Sequence, residues 1–252
     1  MYLPGQNGGE ALYSLLFGEV SPSGRLAETW PYKYTDVPFS DTFGQTPHEI
    51  YKESIFVGYR YYTTANKPVH YPFGYGLSYT SFSYEGMTVE EIDDRIQITC
   101  TVTNTGKRNG AEVVQLYVRP PASGVFRPKR ELKGFCKVYL QPGESDRVYM
   151  NVRKDDLRYW NTAENRYILE NGTYQFELCA DCETVKFAQS ICIAAESAKA
   201  PEASSETSAE RTVEQVVEDV VQVAESAAEV RTCSFHSCVA ELVVLCLLVS
   251  VA

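Results

Sequence analysis

Alternation of apolar and polar residues over residues 95–178 constrains the fold of this chain more than any other feature. In "RIQITCTVTNTG", Ile96, Ile98, Cys100 and Val102 fall on one face, while Gln97, Thr99 and Thr101 fall on the other. The pattern resumes in "AEVVQLYV" through Val114, Leu116 and Val118, and in "RVYMNV" through Val148, Met150 and Val152. It returns in "TYQFEL" through Tyr174, Phe176 and Leu178. Strand side chains point to opposite faces in turn, so each run has one face to bury and one to leave wet. Turn sequences separate the runs: "NTGKRNG", the "QPGES" after "KVYL", and an Asn-Gly at 171–172 that reads as a hairpin signal. About seven short strands in roughly 110 residues predict two sheets packed face to face, an immunoglobulin-like β-sandwich over residues 83–195. Such a sandwich is a scaffold, and its fold alone carries no activity.

Residues 1–82 have a different texture, a mixture of helix, loop and aromatic strands. "GGEALYSLLFG" predicts a short helix with Ala11, Leu12, Leu15 and Leu16 along one face and Gly18 at its C-terminal cap. The "PGQNGG" before it lacks the GxxxxGK[ST] and GxGxxG spacings with which glycine loops cradle phosphate. "EVSPSGRLAETWP" reads as a loop with Pro22 and Gly24, then an extended segment stopped by Pro31. In "HYPFGYGLSYTSF", residues 70–82, Gly74 and Gly76 interrupt a run of aromatics. Glycine adds backbone freedom and removes contact, so it is expected where the chain turns or something approaches it closely. Tyr75, Tyr79 and Phe82 are then expected to pack into a seam; a platform for stacking a sugar ring is the alternative reading of the same rings.

Composition excludes more than it assigns. The chain has 23 basic and 33 acidic residues, but nine acidic and two basic residues lie between Glu196 and Val230, which accounts for −7 of the net −10. The remainder is close to neutral and has no basic stripe, which argues against a nucleic-acid partner. Eight cysteines, at 100, 136, 179, 182, 192, 233, 238 and 246, form no regular framework. The N-terminus lacks the basic and apolar regions of a secretory signal, so free, mostly buried thiols and a cytoplasmic location are expected. Cys179 and Cys182 form a CxxC, but a single such pair is a weak zinc signature and reads better as hairpin cysteines.

Taken in order, these stretches carry a resemblance. "PGQNGGEALYSLLFGEVSPSGRLAETWP", "YKESIFVGYRYY" and "YPFGYGLSYTSFSY" resemble the C-terminal end of family 3 glycoside hydrolases, the β-glucosidase and β-xylosidase group. "VTNTGKRNGAEVVQLYV", "RPKRELKGFCKVYLQPGES" and "ENGTYQFEL" look like that family's fibronectin-III-like domain. The resemblance covers about residues 3–193 and implies a mainly β fold, in which the sandwich is preceded by the C-terminal remnant of an α/β sandwich domain over residues 1–82. It also implies a barrel carrying a nucleophilic aspartate and an α/β domain carrying an acid/base glutamate. The sequence opens at "PGQNGG", so the expectation is a fragment whose partners are the missing barrel and α/β portion, with carbohydrate substrate reached through them. By the same resemblance, "FGYGLSYTSF" is the joint between the α/β domain and the sandwich.

Retaining glycoside hydrolysis needs a nucleophile and an acid/base carboxyl about 5–5.5 Å apart. Glu49 and Glu53 in "HEIYKES" would share a face if that stretch were helical, and their repulsion would raise one pKa. Neither matches a catalytic position of the family, and Arg60 and Lys52 are ready partners, so they read as salt-bridged or solvated. His48 and His70 stand apart from any serine or cysteine arrangement and read as surface or seam residues. No residue is assigned as catalytic, substrate-binding or metal-binding, and no cofactor is expected; the glycosidase label belongs to the parent family. The 1–82 remnant is expected to expose a sheet edge and an apolar helix face, which makes the chain alone inactive and prone to associate.

Residues 196–232 read as an acidic linker with an amphipathic helix that places Val213, Val216, Val217, Val220, Ala224 and Ala227 on one face. Residues 233–252 form an apolar tail whose last fifteen residues, "CVAELVVLCLLVSVA", fall short of the roughly 20 that span a bilayer. A membrane anchor, a helix docked on protein and a truncated or frame-shifted coding end all remain open, the last being favoured. For the whole chain, two readings compete: the C-terminal part of a family 3 glycosidase, and a non-catalytic sandwich module for carbohydrate contact or adhesion.

Overall fold

The computed structural model describes residues 5–194 apart from Thr46, Pro47 and Glu49. The acidic linker 196–232 and the apolar tail 233–252 lie outside the described residues. Among the described residues, no helix is long and apolar enough to cross a membrane.

Helix α1 spans Gly8–Leu16 and stops where the sequence predicts, with Gly18 at φ +74° just beyond it. The Gly18 amide bonds the Leu15 carbonyl and the Glu19 amide that of Ser14, closing the last turn. The aromatic strands expected between α1 and residue 82 do not form: "YRYYTT" is a short helix α2, Tyr59–Thr64, and extended pairing is limited to one isolated bridge, Trp30 with Tyr71. The expected sheet edge is therefore absent among the described residues before Phe82. An extended segment needs a neighbouring strand to satisfy its backbone, and this stretch, broken by prolines and glycines, has only that single bridge.

Beyond it lie nine strands: β1 Phe82–Ile92, β2 Arg95–Asn104, β3 Gly110–Arg119, β4 Glu131–Leu140, β5 Ser145–Arg153, β6 Tyr159–Asn161, β7 Arg166–Ile168, β8 Gly172–Cys179 and β9 Val185–Ile193. One sheet has the order β1-β2-β5 and the other β4-β3-β8-β9, with β6 and β7 as a separate hairpin. The two main sheets thus hold seven antiparallel strands, as the alternation predicts. Ile96, Ile98, Val102, Val114, Leu116, Phe176 and Leu178 are buried between the sheets, together with Val148 and Val152. Burying each such side chain contributes about 1.5–3 kcal/mol, which makes this layer the main source of stability. Residues 5–81 and the sandwich lie in the same compact unit.

The Asn-Gly at 171–172 does not close a hairpin. Strand β7 pairs with β6, and β8 pairs with β3 and β9. Gly172 is required for another reason: a Cβ there would stand 2.8 Å from the ring of Pro121.

A buried polar centre ties the turns together. Asn104, fully buried at the end of β2, donates its side-chain amide to the carbonyls of Arg108 at 2.8 Å and Leu140 at 3.0 Å. Its Oδ1 accepts from the Thr80 hydroxyl at 2.6 Å and the Gly106 amide at 3.1 Å. One side chain therefore pins the β2–β3 turn, the end of β4 and the residues leading into β1.

Candidate functional site

The seam is built where "FGYG" lies on the outer face of the β4-β3-β8-β9 sheet. Gly74 has φ +83°, and a Cβ there would overlap the side-chain amide of Gln115 on β3. That amide donates to the carbonyls of Gly74 at 3.0 Å and Ala180 at 2.7 Å, and its oxygen accepts from the Tyr117 hydroxyl at 2.8 Å. The Gly74 amide bonds the Leu26 carbonyl, the Leu26 amide the Tyr75 carbonyl, and the Cys182 amide the Phe73 carbonyl. At Gly76 a Cβ would overlap the Gly24 carbonyl and the Arg25 side chain. Both glycines mark close approach, the first of them also a left-handed turn.

Of the three aromatics assigned to the seam, Tyr75 packs on Tyr71 with ring centroids 5.0 Å apart. Phe82 enters β1 and packs against the main core. Tyr79 is half-exposed and holds α1 instead, its hydroxyl donating to the Leu15 carbonyl at 2.7 Å. Tyr59 of α2 packs on Phe73 and Tyr117, with centroids 4.8 Å and 5.8 Å away, and its hydroxyl accepts from the Leu132 amide.

Cys179 ends β8 and Cys182 sits in the following turn, both buried beside Tyr59 and Tyr117. Both are free thiols, and burial pushes each up to about 12. Among the described residues, no group of three or more His, Cys, Asp or Glu side chains is placed to hold a metal ion.

Two ion clusters line the seam. Arg25 meets Glu112 at 2.6 Å with both side chains nearly buried, and the Tyr84 hydroxyl donates to the other Glu112 oxygen at 2.8 Å. Burial first, then the Glu112 charge, pushes the Tyr84 phenol well above its usual range. Glu177 lies between Arg119 at 2.8 Å and Arg130 at 3.2 Å, and both contacts are ion pairs without hydrogen-bond geometry. Arg130 also donates to the Cys182 carbonyl at 2.9 Å. Asp181 accepts from the Glu183 and Thr184 amides. Burial, and then the Asp181 charge, raises the Glu183 carboxyl. The carboxylates buried among the described residues, Glu112, Glu177 and Asp181, are thus all tied by arginine or backbone, an arrangement suited to clamping rather than proton transfer.

Glu49 lies outside the described residues. Residues 50–51 are irregular and 52–55 form a turn, so no helix presents Glu53 one turn from Glu49. The expected partners are engaged elsewhere: Arg60 pairs with Glu131 on β4 at 3.1 Å, and Lys52 donates to the Thr42 hydroxyl. His70 lies between Tyr32 and Tyr71, with centroids 5.5 Å and 4.2 Å away, and His48 is exposed.

One feature escapes the sequence patterns. A cleft of about 350 Å³ opens between the 54–60 segment and the β6–β7 hairpin, lined by Arg60, Glu131, Lys133, Tyr159, Trp160 and Tyr167. Trp160 and Tyr167 are 47% and 62% exposed and meet edge to face at 5.1 Å. The three-residue strands of "YWNTAENRYI" are too short for the alternation that reveals the sandwich, although its Asn-rich turn between aromatics is a usable hairpin signal. The apolar helix face expected from the sequence is exposed, with Leu12 and Leu16 at 43% and 68%; further along, Phe17, Tyr34 and Phe43 are each more than 60% exposed, and the Tyr13 and Phe17 ring centroids lie 4.4 Å apart.

Comparison with known proteins matches residues 1–79 to the glycosyl hydrolase family 3 C-terminal domain and residues 112–182 to the fibronectin type III-like domain. The chain is 42% identical over 197 residues to an exo-α-(1→6)-L-arabinopyranosidase of Bifidobacterium breve, covering 77% of this chain and 26% of that protein. It is 46% identical over 178 residues to thermostable β-glucosidase B of Acetivibrio thermocellus, covering 69% and 24%. The crystal structure of a Bifidobacterium adolescentis GH3 β-glucosidase superposes with a TM-score of 0.72 at 39% identity, covering 80% of this chain and 30% of that one. The chain spans about a quarter of the length of the curated relatives it matches.

Proposed function

Because this chain is the C-terminal part of a family 3 glycoside hydrolase, including its fibronectin-III-like domain, we propose that it works as the scaffold of an enzyme that cleaves O-glycosyl bonds. In this reading residues 1–82 complete an α/β sandwich domain, residues 83–195 form the fibronectin-like sandwich, and the reacting carboxyl groups come from outside this chain. The single observation that carries it is the set of large apolar side chains left exposed on residues 12–57. Leu16, Phe17 and Phe43 are 68%, 72% and 67% exposed, and large apolar side chains left in water favour a partner that covers them. The occupant proposed for it is the remaining α/β portion and barrel of the parent enzyme; about three quarters of the length of the matched relatives lies beyond the stretch this chain matches. The committed state of Glu112, Glu177 and Asp181 supports the second half of the reading, since a general acid or nucleophile must be free to exchange a proton or attack.

The test is complementation. Thermostable β-glucosidase B with its matching C-terminal quarter removed is co-expressed with this chain, and nitrophenyl glucoside hydrolysis is measured for each part and for the pair. Neither part alone is expected to turn over substrate, and the co-purified pair is. Hydrolysis by this chain alone, or a co-purified pair without activity, overturns the proposal.

A further inference from the structure

We propose that the cleft between the 54–60 segment and the β6–β7 hairpin is an accessory binding site for a neutral saccharide, with Trp160 and Tyr167 as its stacking platform. Four observations converge on it. Its volume of about 350 Å³ lies at the small end of the roughly 300–1,000 Å³ typical of small-molecule sites, suiting a mono- or disaccharide. Its rim carries two large rings left half-exposed in an edge-to-face pair, although neither takes part in the sandwich core. The hairpin holding them is fixed: Asn161 Oδ1 accepts the amides of Ala163 and Glu164, and Asn165 takes the left-handed turn at φ +52°. Behind the rings, Arg127 lies 5.1 Å over the face of Tyr159 and is bonded to Glu170, so the rear wall is preset as well.

The charges decide the ligand class. Arg60 and Lys133 share Glu131, Arg127 holds Glu170, and Arg158 holds Asp155 at 2.9 Å. Four cations of the wall thus meet three carboxylates, so every cation is paired while one positive charge remains in excess, and what the cleft offers a ligand is mainly the outer edges of engaged pairs. An anionic ligand would have to break these pairs, whereas the hydroxyls of a sugar can bond at their edges. The electron-rich ring faces meet the polarised axial C–H bonds of a pyranose. The choice of a saccharide over another neutral polyol rests on the glycosidase reading above.

Titration of the full chain with cellobiose and with xylobiose tests the site. The chain has two tryptophans, so a Trp30→Phe variant reports the emission of Trp160 alone. A saturable change with a Kd in the millimolar range is expected. Tyr167→Ala in that background weakens binding about tenfold, while Tyr167→Phe retains it and both variants keep the parent's unfolding midpoint. No saturable change, an equal response to sorbitol, or undiminished affinity in Tyr167→Ala overturns the proposal. Binding is read on this chain alone, so it is separable from complementation: hydrolysis without binding sinks only the accessory site, and binding without hydrolysis sinks only the glycosidase reading.

Discussion

The side-chain amide of Gln115 donates to the carbonyl of Gly74 at 3.0 Å and fills the space that a Cβ at Gly74 would need. The pair joins the N-terminal segment to the sandwich. Gly74→Ala therefore forces a left-handed backbone on an L residue and displaces a side chain that also holds Ala180 and Tyr117. The expected loss is about 2–4 kcal/mol, read as the urea unfolding free energy. Gly44→Ala is the control: its φ is +70° but nothing lies within 4 Å of the added carbon, so only the backbone cost of about 1–2 kcal/mol remains. Equal losses at both positions would refute the close-approach account.

Asn104 is the second point at which one residue carries several connections. Asn104→Ala leaves the carbonyls of Arg108 and Leu140 and the amide of Gly106 without their side-chain partner. At about 1–3 kcal/mol for each buried group left unpaired, the variant is expected to lose at least about 3 kcal/mol. Asn104→Asp should be as damaging at neutral pH, since a carboxylate faces two carbonyl oxygens. Since burial against those carbonyls raises the folded pKa of the new carboxyl, the loss should shrink as pH falls towards about 4, where the protonated acid donates one bond. Chemical unfolding at pH 7 and pH 4 separates the two variants.

The Arg25–Glu112 pair at 2.6 Å bridges the loop after α1 to β3. Removing one partner of a buried pair costs about 3–5 kcal/mol because the other charge is left unpaired. Arg25→Met alone is expected to fall in that range. Arg25→Met with Glu112→Leu should lose less than the sum of the single losses. A double-mutant cycle on thermal stability with a coupling below about 0.5 kcal/mol would show that the clamp is solvent-screened.

The sandwich was legible because its strands repeat one physical rule. Ile96, Ile98, Val102, Phe176 and Leu178 alternate in sequence and are buried in the structure, so periodicity and burial report the same fact. The seam was legible at Gly74 and Gly76, where glycine is unfavourable unless space demands it. The clamp was not: Arg25 and Glu112 are 87 positions apart, and nothing in a single sequence links one charge to another at that distance. Strand β9 escaped notice for a related reason. It is an edge strand exposed on most of its length, and "VKFAQSICI" lacks the one-sided pattern that marks burial. The six-residue α2 was hidden by tyrosines, which favour strands by propensity but here follow Gly58 into a helical turn that buries Tyr59 and Tyr62.

Alkaline pH should expose how much the buried thiols matter. Burial pushes Cys100 up to about 11 and Cys179 and Cys182 up to about 12, whereas an unfolded cysteine ionises near about 8.5. Above that value the folded chain keeps protons that the unfolded chain releases, so the unfolding free energy falls as pH rises. The stabilisation is complete below about pH 8.5 and is lost as pH climbs through the folded values. Each thiol contributes a slope of about −1.4 kcal/mol per pH unit, and the raised phenols of Tyr84 and Tyr117 add to it above about pH 10. Urea unfolding under reducing conditions at pH 7, 9, 10 and 11 should show this decline. In Cys179→Ala with Cys182→Ala the slope between roughly pH 9 and 11 should flatten by about 3 kcal/mol per unit, although the packing loss lowers the whole curve. A double variant with the parent's slope would mean that these thiols reach water in the folded protein.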